Sequence, residues 1–379
     1  MFAVEFTAFV VVLGIPDGAL GVLWPGMRGT FHRAIGDLGY VAIAGTVLYL
    51  FGGIAYAWLA GRASNGLLIF ASCAASAVSA AVWAAAGTWA LLLIGFGLFG
   101  IGRGALDAAV NADAAHQIKR LGWLHAGWSV GGALGPLLVA GLAGVASWRL
   151  PVALIAVATA CVSVVAAYTA RLSTYDGAPT THHERPATLP HLRAAVVLIA
   201  FATYTAAEIG PIAWGYVYLT DHRGLSNGAA AAAVAVFWIA LTAGRVALGA
   251  FGQHADARRI LVASGVGLVA ALALFWAGAA TGLAFVAMAL GGLASAAVFP
   301  VLVNVTPAIV GSAAAERTIG LAIAAAAIGG PAAVLIEGLL ANAHGVQVLA
   351  PAMFVAALML AVAIALLVRV LAGREHAAP

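Results

Sequence analysis

Apolar residues fill this chain in runs of about 20, the length that an α-helix needs to cross a bilayer. Short polar stretches separate the runs; the longest of them, residues 172–190, has six runs on each side. The pattern predicts an all-α membrane protein with twelve transmembrane helices in two pseudo-symmetric six-helix bundles. The predicted spans are residues 2–24, 38–60, 66–87, 88–115, 121–146, 149–171, 191–219, 226–251, 258–279, 281–306, 315–342 and 346–371.

The same pattern divides the chain into an N-terminal bundle over residues 1–171, a linker over 172–190 and a C-terminal bundle over 191–379. Hydrophobic residues make up 64% of the chain and charged residues only 8%, whereas a soluble domain has about 25% charged residues. Twelve spans with short loops use the whole length, which leaves no soluble domain. We therefore expect a monomeric integral membrane protein whose partners are the lipid bilayer and a small-molecule solute.

Basic residues indicate the orientation, because cytoplasmic loops carry an excess of Lys and Arg. With a cytoplasmic N-terminus, twelve of the 17 basic residues fall in inner loops or at inner span ends and four on the outer side, while Arg103 lies within the membrane. We expect a bacterial cytoplasmic (inner) membrane protein with both termini and the linker in the cytoplasm. The basic residues form no run or patch, so we expect no nucleic-acid partner.

A polar stripe marks the fourth span. Arg103, Asp107 and Asn111 are four residues apart, a spacing that keeps them on one face of a helix. A charge near the bilayer centre costs about 2.5–3.5 kcal/mol on insertion scales, so the stripe must face partners or water inside a bundle. We interpret it as the wall of a permeation pathway; the alternative is an Arg–Asp pair that only holds two helices together.

Motifs of the first half of the sequence recur in the second half at nearly constant spacing. Gly135-Pro136 in the fifth span is matched by Gly330-Pro331 in the eleventh, 195 residues later, and Asn111 in the fourth is matched by Asn304 in the tenth. Parallel repeats of this kind build secondary transporters whose substrate site lies near mid-membrane, where the repeats meet. The repeats therefore favour a solute transporter that works by rocking about such a site.

Several motifs resemble those of one transporter family. They are Pro16-Asp17-Gly18, the stretch Gly104 to Asn111 with Asp107 at its acidic position, Tyr204-x-x-x-Glu208, Phe237-Trp238, and Gly244-Arg245. On these residues the chain resembles the major facilitator superfamily, and within it the fucose–proton symporter family and its close relatives. The resemblance covers nearly the whole chain and implies the major facilitator fold. The family usually has a glutamate where this chain has Asp107.

The resemblance also implies roles for particular residues. A first-span aspartate and a fourth-span acid, here Asp17 and Asp107, would serve proton coupling and sugar binding. Glu208 is a third proton-coupling candidate, because an intramembrane acid marks a functional site by default. Aromatic faces suit the apolar faces of sugar rings, and polar groups suit their hydroxyls. The candidate solute-binding residues are Arg103, Asp107, Asn111, Tyr204, Glu208, Trp214, Trp128, His125, Trp238 and Asn304.

Some of these residues have simpler explanations. Asp17 is a candidate to cap backbone groups freed by Pro16, and Trp214 could belong to the aromatic belt at the outer membrane interface. His125 lies close to the predicted cytoplasmic end of its span and could be solvated. Glu337, a further candidate of the second half, lies near the predicted outer end of the eleventh span and could be solvated, so we rank it low.

The two first-half acids differ in their sequence neighbours. Arg103 comes one turn before Asp107, whereas no basic residue lies within a turn of Asp17 on its own helix. A nearby cation favours the ionised form of an acid, and burial favours the neutral form. We therefore expect Asp107 to pair with Arg103 and Asp17 to carry the proton, with Arg103 reaching Asp17 or Glu208 as the alternative.

The sequence has neither the HExxH motif of zinc proteases nor the P-loop of ATP-driven pumps. We expect no catalytic residues, no cofactor other than protons as coupling ion, and no metal site. His182-His183 lacks an evident third ligand. We predict a proton-coupled symporter of a sugar or polyol. The alternatives are a proton-driven exporter of drugs or metabolites, suggested by the glycines before Gly135-Pro136, a membrane-embedded enzyme, and a sensor that does not transport.

The predicted topology can be tested by labelling. A cysteine introduced at Thr180, after both native cysteines are replaced by alanine, should resist a membrane-impermeant maleimide in intact cells because the linker is cytoplasmic. The same variant should react once the membrane is permeabilised. Ready labelling of intact cells would reverse the orientation.

Overall fold

The computed structural model describes residues 2–60, 62–114, 118–143, 145–172, 191–251, 256–278 and 280–375. Within these ranges, the side chains of residues 2–10, 111–114, 118–125, 169–172, 251 and 373–375 are not described. The chain forms two compact units, Met1–His182 and His183–Pro379. The predicted linker falls almost wholly on residues 173–190, outside the described part.

Unit 1 contains six long helices. They are α1 (Phe2–Thr30), α2 (Leu38–Leu59), α3 (Asn65–Ala85), α4 (Trp89–Ala114), α5 (Ile118–Leu142) and α6 (Arg149–Leu172). A short 3₁₀ turn, Ile35–Asp37, precedes α2. Unit 2 contains α7 (His191–Val217), which continues as a π-helical turn over Tyr218–His222, followed by a second series of helices. These are α8 (Asn227–Phe251), α9 (Ala257–Ala277), α10 (Thr281–Ser295), α11 (Val298–Val310), α12 (Ser312–His344) and α13 (Leu349–Glu375), with a 3₁₀ turn, Val346–Val348, before α13.

The prediction of an all-α membrane protein is confirmed. Ten helical stretches among the described residues are long and apolar enough to cross a membrane, and Ala126–Leu142 is a shorter apolar helix. Helix α1 covers the remaining predicted span.

Helices pair in the same way in both units. In unit 1, α1 packs on α5, α2 on α4, and α3 on α6. In unit 2, α7 packs on α12, α8 on α10, and α9 on α13. The helices that carry Pro136 and Pro331 therefore each pack against the first helix of their own unit.

Glycines bring these pairs into backbone contact. A Cβ atom added to Gly18 would lie 1.8 Å from the carbonyl oxygen of Gly132, and one added to Gly104 would lie 1.9 Å from that of Tyr49. In unit 2, a Cβ on Gly329 would lie 2.2 Å from the carbonyl oxygen of Ala202. Small residues allow this approach in membrane helices, where packing rather than hydrophobic burial drives association.

The tenth predicted span, 281–306, is not one helix. It is broken at Ala296 and Ala297 between α10 and α11. Pro300 explains the break, because a proline inside a helix cannot donate to the carbonyl four residues earlier and its ring clashes with that carbonyl, here of Ala296. The apolar pattern runs through the break and therefore did not reveal it.

Glycine packing predicts a sharp difference between two positions of α1. Gly18→Ala should destabilise the protein by about 1–3 kcal/mol, the usual cost of overpacking, because its Cβ meets backbone. Gly29→Ala is the matched control, since nothing lies within 4 Å of its added Cβ. Thermal unfolding in detergent measures both variants, and equal midpoints would contradict the close α1–α5 contact.

Candidate functional site

Arg103 is the centre of the polar site in unit 1. It lies on α4 and is only 8% exposed. Its Nη2 donates to Oδ2 of Asp17 on α1 at 2.9 Å, and its Nη1 donates to the carbonyl oxygen of Leu13 at 2.7 Å. The guanidinium carbon lies 4.0 Å from the ring centroid of Trp128 on α5. One cation therefore ties three helices together through an ion pair, a backbone hydrogen bond and a cation–π contact.

Asp107 lies one turn further along α4 and has a different partner. The Tyr49 hydroxyl, on α2, donates to Oδ2 of Asp107 at 2.6 Å. Asp107 is half-buried. The stripe of α4 thus contacts α1 and α5 at one level and α2 at the next. Asn111 and His125 belong to α4 and α5, and their side chains lie outside the described residues.

The expected pairing of Arg103 with Asp107 is wrong. Arg103 forms its ion pair with Asp17, so Asp17 does have a basic partner. Side chains on a helix point toward its N-terminus, which directs Arg103 away from the residue four positions later. An acid placed before the basic residue is also the better order for an i,i+4 pair. The alternative in which Arg103 reaches Asp17 is the arrangement observed.

Unit 2 holds a second acid–arginine pair. Glu208 on α7 is 7% exposed, and its Oε1 lies 3.9 Å from Nη2 of Arg245 on α8. Tyr204, one turn earlier on α7, also interacts with the Glu208 carboxyl group. The ring of Tyr204 lies 6.3 Å from that of Phe299 on α11. Glu208 and Asp17 occupy the first helices of their units, 191 residues apart.

Three other predicted solute-binding residues of unit 2 do not contribute to the Glu208–Arg245 pair. Trp214 is fully buried, and its indole N–H donates to the carbonyl oxygen of Val334 on α12 at 3.2 Å. It packs between α7 and α12, which explains it better than solute contact or an interfacial belt. Trp238 on α8 is 5% exposed, and its Nε1 has no hydrogen-bond partner within the described chain. Asn304 on α11 is exposed.

Comparison with known proteins identifies the family. The model of the Major Facilitator Superfamily matches residues 6–288, well over half of the chain. The chain belongs to the Major Facilitator Superfamily. Transport rather than catalysis is the activity of this superfamily, in agreement with the sequence. No curated protein matches the chain in sequence.

Solved structures of several facilitator transporters share the fold. A bacterial homologue of the human lysosomal transporter Spinster, inward-facing and occupied, is 16% identical with a TM-score of 0.71 over 98% of this chain and 95% of its own. A point mutant of the nucleoside transporter NupG is 13% identical with a TM-score of 0.78, over 97% of this chain and 100% of its own. The transporter FucP, in the outward conformation, is 14% identical with a TM-score of 0.67, over 97% of this chain and 98% of its own. At these identities the likeness establishes the facilitator fold alone.

Sequence reasoning missed two members of these facilitator sites. Tyr49 carries no signal, because nothing in an apolar second span marks which residue faces Asp107. Arg245 was visible in the Gly244-Arg245 motif, but it was counted with the basic residues at predicted inner span ends and not as a site candidate. Among the described side chains, no group of three or more His, Cys, Asp or Glu residues could hold a metal ion.

The Asp17–Arg103 pair of unit 1 should show strong energetic coupling. In a double-mutant cycle of Asp17→Asn and Arg103→Gln, the coupling free energy should fall within about 0.5–3 kcal/mol, because removing either partner leaves the other poorly compensated. The control is the Arg259–Asp256 pair, whose side chains are 90% and 51% exposed and whose coupling should be about 0.2–1 kcal/mol. Chemical unfolding in detergent measures both cycles. Coupling at Asp17–Arg103 no larger than at the control would show that the pair is not a tight contact.

Proposed function

We propose that this facilitator is a secondary active transporter that moves a small polar solute of the sugar or polyol class by proton-coupled symport with alternating access. The observation that supports this most is the buried Arg103, held by Asp17, the Leu13 carbonyl and Trp128, with the Asp107–Tyr49 pair one turn away. We also propose the bacterial inner membrane as its location, with both termini cytoplasmic.

Asp17 is the proton acceptor in this proposal. Its side chain is 38% exposed, whereas that of Arg103 is 9% exposed, so a proton can reach the carboxylate while the guanidinium stays buried. A proton on Asp17 removes the negative charge that pairs with Arg103. The arginine keeps its contacts with the Leu13 carbonyl and the Trp128 ring, so protonation changes the link between α1 and α4 without expelling a buried cation.

Solute recognition falls to the groups around this pair. Trp128 offers an aromatic face, and Asp107 and Tyr49 offer an acceptor and a hydroxyl that can exchange their mutual hydrogen bond for bonds to solute hydroxyls. In unit 2, Tyr204 and the Glu208–Arg245 pair supply similar chemistry. Trp214 leaves the set of solute-binding candidates because its N–H is already used in helix packing.

Proton-driven export is the second candidate function. It is favoured by the glycines of α5, where a Cβ added to Gly131 would lie 2.0 Å from the carbonyl oxygen of Val11 and one added to Gly135 would lie 2.3 Å from that of Ile15. This close α1–α5 contact surrounds the Gly-Pro motif that suggested an antiporter. The same Asp17 would then release its proton in exchange for solute movement outward.

Counterflow into proteoliposomes identifies the solute class. The purified protein should exchange at least one monosaccharide or polyol from a panel that also contains nucleosides and amphipathic cations. An inward proton gradient should drive accumulation of that solute. Exchange of amphipathic cations alone would favour the exporter, and exchange of nucleosides alone would replace the sugar class.

Two aspartate variants then separate coupling from binding. Asp17→Asn should abolish uphill uptake but keep counterflow, because exchange needs no net proton movement. Asp107→Asn should weaken both processes, since losing a hydrogen bond from solute to a carboxylate costs about 1.5–3 kcal/mol, or roughly tenfold to 150-fold in affinity. Removing the charge of Arg103 should not rescue Asp107→Asn, because the two side chains have different partners. If Asp107→Asn is uncoupled and Asp17→Asn fails to exchange, the roles are reversed.

A further inference from the structure

Glu337 on α12 is a buried acid that the proposed function does not use. Its place near the predicted outer end of its span left solvation open, but the side chain is buried, with only 3% exposed. Neither carboxyl oxygen has a hydrogen-bond partner within the described chain. A long helix continues on both sides of it, from Ser312 to His344. The acid is therefore enclosed by packing within unit 2.

The carboxyl group of Glu337 lies against α7. A Cβ atom added to Gly210 would come within 2.8 Å of its Oε1 and 3.1 Å of its Oε2, and within 3.2 Å of the side chain of Met353 on α13. Glycine at position 210 thus makes the room that the carboxyl group occupies. One turn before Glu337, the α12 backbone at Val334 receives the indole N–H of Trp214.

No described charged group compensates Glu337. The elements packed against α12 are α7, α11, α13 and the 3₁₀ turn Val346–Val348. No described titratable side chain interacts electrostatically with Glu337. Those on its own and the packed elements are His191, Arg193, Tyr204, Glu208, Tyr216, Glu316, Arg317, His344 and Arg369.

The free-energy cost of burying a charge decides the protonation state of Glu337. An unpaired charge in an apolar interior is so costly that the group neutralises instead. We infer that Glu337 is a proton-binding residue, which holds its proton while α12 packs on Gly210 of α7 and exchanges it with water when that contact opens. The transport role of this proton rests on the proposed function; the binding of the proton does not.

The proton on Glu337 can affect the conformation of α7, because Glu337 contacts this helix next to a proline. Glu208 and Gly210 are two residues apart and therefore point about 200° away from each other, so Glu208 meets Arg245 while Gly210 meets Glu337 on nearly the opposite face. Pro211 follows at once and removes the backbone hydrogen bond to the carbonyl of Ala207. The helix can bend at this point. One face of the bend carries Glu208, and the opposite face contacts Glu337 of α12.

Infrared spectroscopy of the purified full-length protein tests the protonation state. At neutral pH the wild type should show a carbonyl band of a protonated carboxylic acid that Glu337→Gln loses. Glu316→Gln is the matched control, because it makes the same change at an exposed position of the same helix, and it should keep the band. If Glu337→Gln and the wild type have the same band at neutral pH, the inference is overturned.

Deuterium exchange tests the guarding contact. After transfer to D₂O, the Glu337 band should shift slowly in the wild type and faster in Gly210→Ala, whose Cβ pushes the carboxyl group away. Gly228→Ala is the control, since nothing lies within 4 Å of that added Cβ. Equal exchange in wild type and Gly210→Ala would overturn the role of the contact.

Transport assays separate this inference from the proposed function. With a solute identified by counterflow, Glu337→Gln should lower the number of protons moved per solute while exchange continues. An unchanged ratio would make the neutral acid purely structural and overturn its part in coupling. Absence of any proton-driven uptake by the wild type would defeat the proposed function, whereas the infrared result would still decide whether Glu337 binds a proton.

Discussion

The buried Arg103 links three helices of the first unit of this protein. A guanidinium inside an apolar bundle is costly unless it has partners there. Arg103 contacts an acid, a backbone carbonyl and an aromatic face on two other helices, while its Nε has no hydrogen-bond partner within the described chain. The positions of α1 and α5 relative to α4 therefore depend on one side chain. A change in the charge of Asp17 alters the contacts of this side chain and so affects all three helices.

Close helix packing makes these contacts possible. The α1–α5 and α2–α4 pairs approach until glycine Cα atoms lie against carbonyl oxygens of the facing helix, which brings short polar side chains within reach of the cation. Larger residues at Gly18 or Gly104 would separate the helices and leave Arg103 and Asp107 without their partners. The high glycine content, 46 residues, is in this respect part of the polar site.

Much of the fold can be predicted from the order of apolar and polar residues in the sequence. Most side-chain contacts of the candidate site cannot. Run length and polarity predict twelve spans and place Asp17, Arg103 and Glu208 inside the membrane. They cannot predict that Arg103 crosses to α1, since this depends on the direction of the side chain and on its neighbours. Glu337 was misjudged for a related reason: its distance from the end of a predicted span says nothing of the α7 glycine that encloses it. The break at Ala296 was readable from Pro300, but an uninterrupted apolar run concealed it.

The acids Asp17 and Glu208 each lie on the first helix of their unit, yet the arginines that pair with them come from different helices. Arg103 belongs to the fourth helix of its unit, whereas Arg245 belongs to α8, the second helix of the other. Neutralising the acid would weaken a contact with α4 in unit 1 and a contact with α8 in unit 2, so a repeat that is symmetric in its fold would respond asymmetrically to protons.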